Sequence, residues 1–279
     1  MEYPEGFLEL VERSKKFKIQ KAKGKDMWYK YCKIALIGKG RYDAETSFLL
    51  NMLKDFFDFD SIMDKTGEDW RDEIRDFLEE RLDRIRDKDI KEFISDLLDN
   101  LFSFSATVRG GARFFKKKKV FDKIDAYTKN KEKSREFVQE LVDDKDVPGI
   151  SYAKAILWLH SIGRGVNLAP PTAQLKKFLN NDIGPYHQYY RDDEHFMKRA
   201  DEMDKEFEDT GMIYIYRAIH LYKTLNIFLP RGCSFGPNSL LNFLDQEDMT
   251  IKDLEEQIND IHKQEKLKDN LHSFMGYSY

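Results

Sequence analysis

Cysteine is nearly absent: Cys32 and Cys233 are the two among 279 residues. They lie far apart in the chain, so no disulfide framework is expected, and two thiols alone cannot build a zinc or iron–sulfur centre. No apolar run approaches the length of a membrane span, and Met1-Glu2-Tyr3-Pro4 does not open a signal peptide. Few runs alternate apolar and polar residues with period two, so strands are not expected. There is no internal repeat and no low-complexity tract. These absences point to a cytoplasmic protein with no membrane association, no metal and no cofactor.

What is present is helical. Hydrophobic residues make up 41%, aromatics 14% and charged residues 35%, with a mean hydropathy of -0.67. That is enough apolar material for one large domain or two small ones beneath a heavily ionised surface. Apolar residues recur at helical spacing from Trp28 to Ile37, Ala44 to Phe57, Trp70 to Leu82 and Ile90 to Phe104. A segment from Thr107 to Phe115 follows, broken by Gly110-Gly111, then helices over Phe121–Tyr127, Ser134–Val142 and Tyr152–Ile162. Gln174–Leu179, Asp193–Glu208, Met212–Asn226, Ser239–Leu244 and Ile251–Lys266 complete an all-α chain of about ten to fourteen helices. The tail from Lys263 to Tyr279 either folds back on the core or hangs free.

The net charge of -4 hides an uneven distribution. Arg13 to Arg41 holds eleven Lys/Arg against one acid, and Arg109 to Arg135 holds eleven against three. Basic segments set in an acidic background suit a footprint for phosphates. The plainer alternative is that Lys116 to Lys119 is a solvated helix end, where cations favour the helix dipole.

Val147-Pro148-Gly149-Ile150-Ser151 carries the sharpest signal. Pro148-Gly149 predicts a tight turn anchored by Val147 and Ile150. A helix beginning near Ser151 would leave free N–H groups facing outward, a site for one backbone phosphate. Ser151 suits the cap position. Downstream lie the loop Gly163-Arg164-Gly165-Val166-Asn167 and the segment Leu168-Ala169-Pro170-Pro171-Thr172.

Hairpin, glycine-containing loop and proline segment, in that order, resemble the helix-hairpin-helix DNA glycosylases, the superfamily of endonuclease III and the archaeal 8-oxoguanine glycosylases. The clear match runs from Asp146 to Leu179. More loosely, Ile90 to Lys119 is similar to the helix pair opening the family's central domain, and Met212 to Leu225 to its closing helix. The resemblance implies a two-lobed helical fold that binds double-stranded DNA as a monomer in the groove between lobes, and a nucleoid-associated location. It divides the chain into 1–89 and 186–279, both in the flanking lobe, and a central domain over 90–185. Pro148, Gly149, Ile150 and Ser151 would hold a phosphate, and Lys154, Arg164, Arg109 and Arg113 would add charge. The implied reaction is release of a damaged base flipped from the stack.

The motif departs from the family in three places. The slot for the carboxylate that stabilises the sugar cation holds Thr172, which carries no charge at neutral pH. The slot for the lyase lysine holds Ala153, with Lys154 one residue off, or about 100° around a helix. Ser151 replaces a second hairpin glycine. Either excision is lost, leaving a structural or lesion-sensing DNA binder, or a nearby acid has taken over, drawn from Asp143, Asp144, Asp146, Asp182, Asp192 and Asp193. A protein-interaction scaffold is a third class. Trp158 and His160 are candidates to line a base pocket or to pack in the core. Tyr186, His187, Tyr189 and Tyr190 could stack on bases or pack on a flank. Gly38-Lys39-Gly40 and Gly110-Gly111 are flexible points that match no phosphate loop.

Overall fold

A computed structural model describes residues 3–37, 43–179, 193–207, 210–230 and 233–276. The described residues form sixteen α-helices and no strand. In chain order these are α1 (Phe7–Lys15), α2 (Lys25–Leu36), α3 (Asp43–Met52), α4 (Phe59–Asp64), α5 (Gly67–Leu82), α6 (Lys88–Asp99), α7 (Leu101–Lys118) and α8 (Val120–Tyr127). They continue as α9 (Lys131–Asp143), α10 (Tyr152–Ser161), α11 (Ala173–Leu179), α12 (Asp193–Glu206), α13 (Met212–Leu225), α14 (Pro237–Gln246), α15 (Ile251–Ile258) and α16 (Ile261–Phe274).

Two expected helices are cut by caps. Ile90–Phe104 divides at Asn100, whose side-chain amide donates to the Asp96 carbonyl and closes α6. Ile251–Lys266 divides at Asn259-Asp260, where Asp260 caps α16. Conversely, Gly110-Gly111 does not break α7. A Cβ at Gly110 would lie 1.6 Å from the Asp146 carbonyl oxygen, and one at Gly111 would lie 2.3 Å from the Tyr31 ring. The two glycines are sites of close approach, one against backbone and one against an aromatic face.

The helices form two compact units: Gln20–Gly165, and Met1–Ile19 with Val166–Tyr279. These boundaries differ from the divisions at 89 and 185 expected from sequence, because α2 belongs with the hairpin. In the Gln20–Gly165 unit, the indole of Trp158 on α10 donates to the Met27 carbonyl on α2 at 3.0 Å. Lys30 on α2 donates to the Ser161 carbonyl at 2.5 Å, closing the end of α10. Trp28, Tyr31, Phe115, Phe137 and Trp158, all at most 1% exposed, fill the space between with edge-on and tilted rings. Edge-to-face packing suits the quadrupoles of the rings and adds to their area burial.

The other unit is built on α13, apolar almost all round, against α1, α11 and α14. Arg217 on α13 pairs with Glu255 on α15 and donates to the carbonyls of Ser14 (3.1 Å) and Phe17 (2.7 Å). One guanidinium thereby holds three helices. The tail folds back: the Phe274 ring packs against Phe235 and Phe243.

The glycine contact in α7 yields a stability prediction. Gly110→Ala forces the helix off the Asp146 carbonyl, and overpacking of that kind costs about 1–3 kcal/mol. Thermal unfolding should show a clearly lowered midpoint. A parental midpoint would mean that α7 and the hairpin loop are not in backbone contact.

Candidate nucleic-acid interface

The hairpin forms as the sequence predicts. Helix α9 ends at Asp143, and α10 begins after Ser151, whose hydroxyl accepts from the Lys154 N–H at 3.3 Å. Val147 and Ile150 are buried below the turn, while Pro148, Gly149 and Ser151 are exposed. Gly149 has φ +82°, in the left-handed region, and a Cβ there would lie 2.8 Å from Thr107 Oγ1. Only glycine satisfies both the backbone angle and the space. The Thr107 hydroxyl donates to the Pro148 carbonyl at 2.5 Å, fixing the turn to α7.

Among the described residues, the N–H groups of Gly149, Ser151, Tyr152 and Ala153 make no hydrogen bond to a protein acceptor, while that of Ile150 faces inward across the Pro148-Gly149 turn. This is the donor end of a ten-residue helix with an exposed turn in front of it. Its dipole and its orphan donors both favour an anion. Two of the neighbouring acids are engaged locally. Asp144 accepts from the Asp146 N–H and pairs with Lys117 at 3.7 Å, and Asp143 accepts from the Gln139 amide.

Helix α7 supplies a second feature beside the turn. At about 100° per residue, Phe102, Arg109 and Arg113 share one stripe, next to the face of Thr107 and Gly110 that meets the hairpin. Arg113 is exposed, and no carboxylate pairs with it among the described residues. Arg109 is half-buried and donates to the carbonyls of Ile62 (3.0 Å) and Thr66 (3.1 Å), so its charge is not neutralised. Burial pushes its pKa down, and the guanidinium groups of Arg113 and Arg71 add to this. Arg71, on α5, stands over the Phe102 ring at 5.1 Å.

Several sequence candidates are placed elsewhere. Arg164, expected to contact a phosphate, is instead buried, with its side chain 4% exposed. It donates to Asp125 (3.0 Å) and to the carbonyls of Ala22 (2.8 Å) and Ile162 (3.0 Å), tying residues 20–25 to the end of α10. It also holds the Asp125 carboxyl below the usual carboxylate range. Trp158 and His160 are 1% and 5% exposed and belong to the core, so neither lines an open base pocket. The first basic segment is spent in part within the protein, since Arg13 pairs with Glu9 and Asp245, Lys15 with Glu12, Lys21 with Asp125 and Lys25 with Asp58.

Thr172 is the N-cap of α11, with its hydroxyl accepting from the Leu175 N–H at 3.3 Å. It lies in a different unit from the hairpin. Lys154 is half-buried on the first turn of α10, and burial pushes its pKa down. Ala153 is half-buried beside it. Asp182, Asp192, Tyr186, His187, Tyr189, Tyr190, Gly38, Lys39 and Gly40, and the side chain of Asp193, lie outside the described residues.

Among the described residues, no cluster of His, Cys, Asp and Glu could hold a metal ion, and no helix is long and apolar enough to cross a membrane. No family model, curated protein or solved structure matches the chain.

The capping role of Thr172 is open to direct measurement. Thr172→Ala should lower stability by about 1 kcal/mol, the usual loss for a missing cap, while Thr172→Asp, an equally good cap, should retain parental stability. Denaturant unfolding distinguishes the two. Equal losses for both would show that the hydroxyl does not cap α11.

Proposed function

We propose that this protein binds DNA through the hairpin turn of Pro148 to Ser151 and the arginine stripe of α7, without excising a base. The observation that carries this reading is the set of N–H groups of Gly149, Ser151, Tyr152 and Ala153, held at an exposed turn beside arginines that have no carboxylate partner among the described residues. A phosphate accepts from such donors, and Arg113 adds a charge that salt would screen. The resemblance to helix-hairpin-helix glycosylases supports DNA as the partner and base-excision repair as the setting. Thr172 weighs against excision, because its oxygen is committed to the end of α11 and holds no charge for a developing sugar cation.

Ser151→Asp tests the turn without dismantling it. Asp is as good a cap as Ser, so the fold should persist, while the added charge sits where the phosphate would. Duplex affinity should fall by about tenfold or more. Arg113→Gln should weaken binding uniformly across sequences and reduce the salt slope of log K by about 1. Binding of a short duplex, titrated across salt concentrations, reads both. Parental affinity and slope in both variants would remove the interface.

One observation favours a second reading, excision coupled to strand cleavage. Lys154 is the half-buried lysine of the hairpin, and burial shifts it toward the neutral amine that attacks an aldehyde. Under the first reading, borohydride traps no adduct between the protein and a duplex carrying an abasic site. A trapped adduct that disappears in Lys154→Ala would overturn it and make the protein a lyase.

A further inference from the structure

Phe102 is 71% exposed, the most exposed large apolar side chain among the described residues. Its neighbours on α7 divide cleanly: Leu101, Phe104, Val108, Ala112 and Phe115 are buried and make the helix's core face. Phe102 points the other way, along the stripe that continues through Arg109 and Arg113. The core packing of α7 therefore does not account for an aromatic ring at this position.

One cation stands over the ring. The Arg71 guanidinium lies 5.1 Å from its centroid, and no carboxylate pairs with Arg71 among the described residues. Of the nearby acids of α5, Asp69 accepts from the Thr66 hydroxyl, and Asp72 pairs with Arg75 at 2.8 Å. Glu68 lies one turn before Arg71 without forming an ion pair to it. The pKa of Arg109 is lowered in part by both Arg71 and Arg113, which places the three guanidinium groups in one field. A rise of about 1.5 Å per residue puts Arg109 and Arg113 roughly 10 and 16 Å along α7 from Phe102. Along the axis of a stacked duplex, at ~3.4 Å per nucleotide, that is roughly three to five nucleotides.

We propose that Phe102 and Arg71 form a stacking platform for an unpaired base, with Arg109 and Arg113 following the phosphates of the same strand. This deepens the DNA-binding reading above and rests on it. An aromatic face stacks on any base, but a base inside an intact duplex already has both faces covered. The ring can be used only by a base outside the stack, at a single-stranded stretch, a bulge or an end. The preferred substrate is then DNA with an unpaired base rather than a continuous duplex. Guanidinium over the ring adds a cation–π contact, and the residue remains 71% exposed.

The test uses the full chain, with 2-aminopurine as the probe base. Three DNAs are compared: a single strand, a duplex with one unpaired 2-aminopurine, and the fully paired duplex of equal length. The parent should bind the unpaired-base duplex more tightly than the paired one and quench the probe on binding. Phe102→Ala should lose about tenfold in affinity for that duplex and lose the quenching. It should keep parental affinity and salt slope on the paired duplex, with an unchanged unfolding midpoint because the ring is exposed. Phe102→Trp should keep the preference.

If Phe102→Ala keeps both the preference and the quenching, the platform is wrong while the hairpin interface stands. An equal loss on paired and unpaired DNA also overturns it, because the ring would then serve the general interface. If Phe102→Ala instead abolishes self-association seen by light scattering and leaves DNA binding untouched, the ring is a protein contact and the proposal falls. Absence of salt-dependent binding of the parent to any of the three DNAs would overturn the nucleic-acid reading itself.

Discussion

The backbone of α7 lies against the loop between α9 and α10 so closely that only hydrogen fits at position 110. Much of the candidate interface follows from that contact. It brings Thr107 within reach of the Pro148 carbonyl, and that hydrogen bond holds the turn in which Gly149 takes its left-handed angle. The turn in turn sets where the N–H groups of residues 149 to 153 point. Because the residues before and after Gly110 share one rigid helix, Arg109 and Arg113 are registered to the same loop. N–H donors from a turn and charges from a helix are thus fixed on one support, with little left to loop motion. Pre-organisation of this kind lowers the entropic cost of binding.

Arginine serves two different ends in this protein, and the difference lies in what each guanidinium faces. Arg164 and Arg217 are drawn inward, satisfied by a carboxylate and two carbonyls each, and hold segments that no apolar contact alone would fix. Breaking such a partly buried pair by removing one partner leaves an uncompensated charge, so these residues are structural anchors. Arg71 and Arg113 face outward without a carboxylate partner among the described residues. Arg109 stands between the two classes, bonded to carbonyls yet not neutralised. Counting Lys and Arg along the chain cannot separate these cases, because the count does not know which carboxylates fold against them.

The hairpin was legible because its parts are local. Proline, glycine, flanking apolar residues and a capping serine each act within a few residues, and the turn uses all of them. Most helices were legible for the same reason, from apolar spacing. The errors arose where a distant partner decides. Gly110-Gly111 reads as a break until the Asp146 carbonyl and the Tyr31 ring are placed against it. Arg164 reads as a phosphate ligand until Asp125 and Ala22 surround it. Thr172, read from the resemblance as the slot of the missing carboxylate, also caps α11, and that local signal was present in the sequence. Phe102 was hidden in Leu101-Phe102-Ser103-Phe104, where two aromatics two residues apart on a helix cannot both face the core.

The unit formed by Met1–Ile19 and Val166–Tyr279 takes its segments from both ends of the chain, while Gln20–Gly165 is continuous. This has a consequence for the order of events at the ribosome. The continuous unit emerges whole and can fold as it leaves the exit tunnel. Helix α1 emerges before the Gln20–Gly165 unit but must wait for α13, whose Arg217 binds a carbonyl 200 residues earlier in the chain. At roughly 5–20 residues per second, that delay is about 10–40 s. During it Phe7, Leu10 and Val11, which end fully buried, have no core to enter. Of the two segments that make this unit, the earlier one is therefore the one left uncovered longest during synthesis.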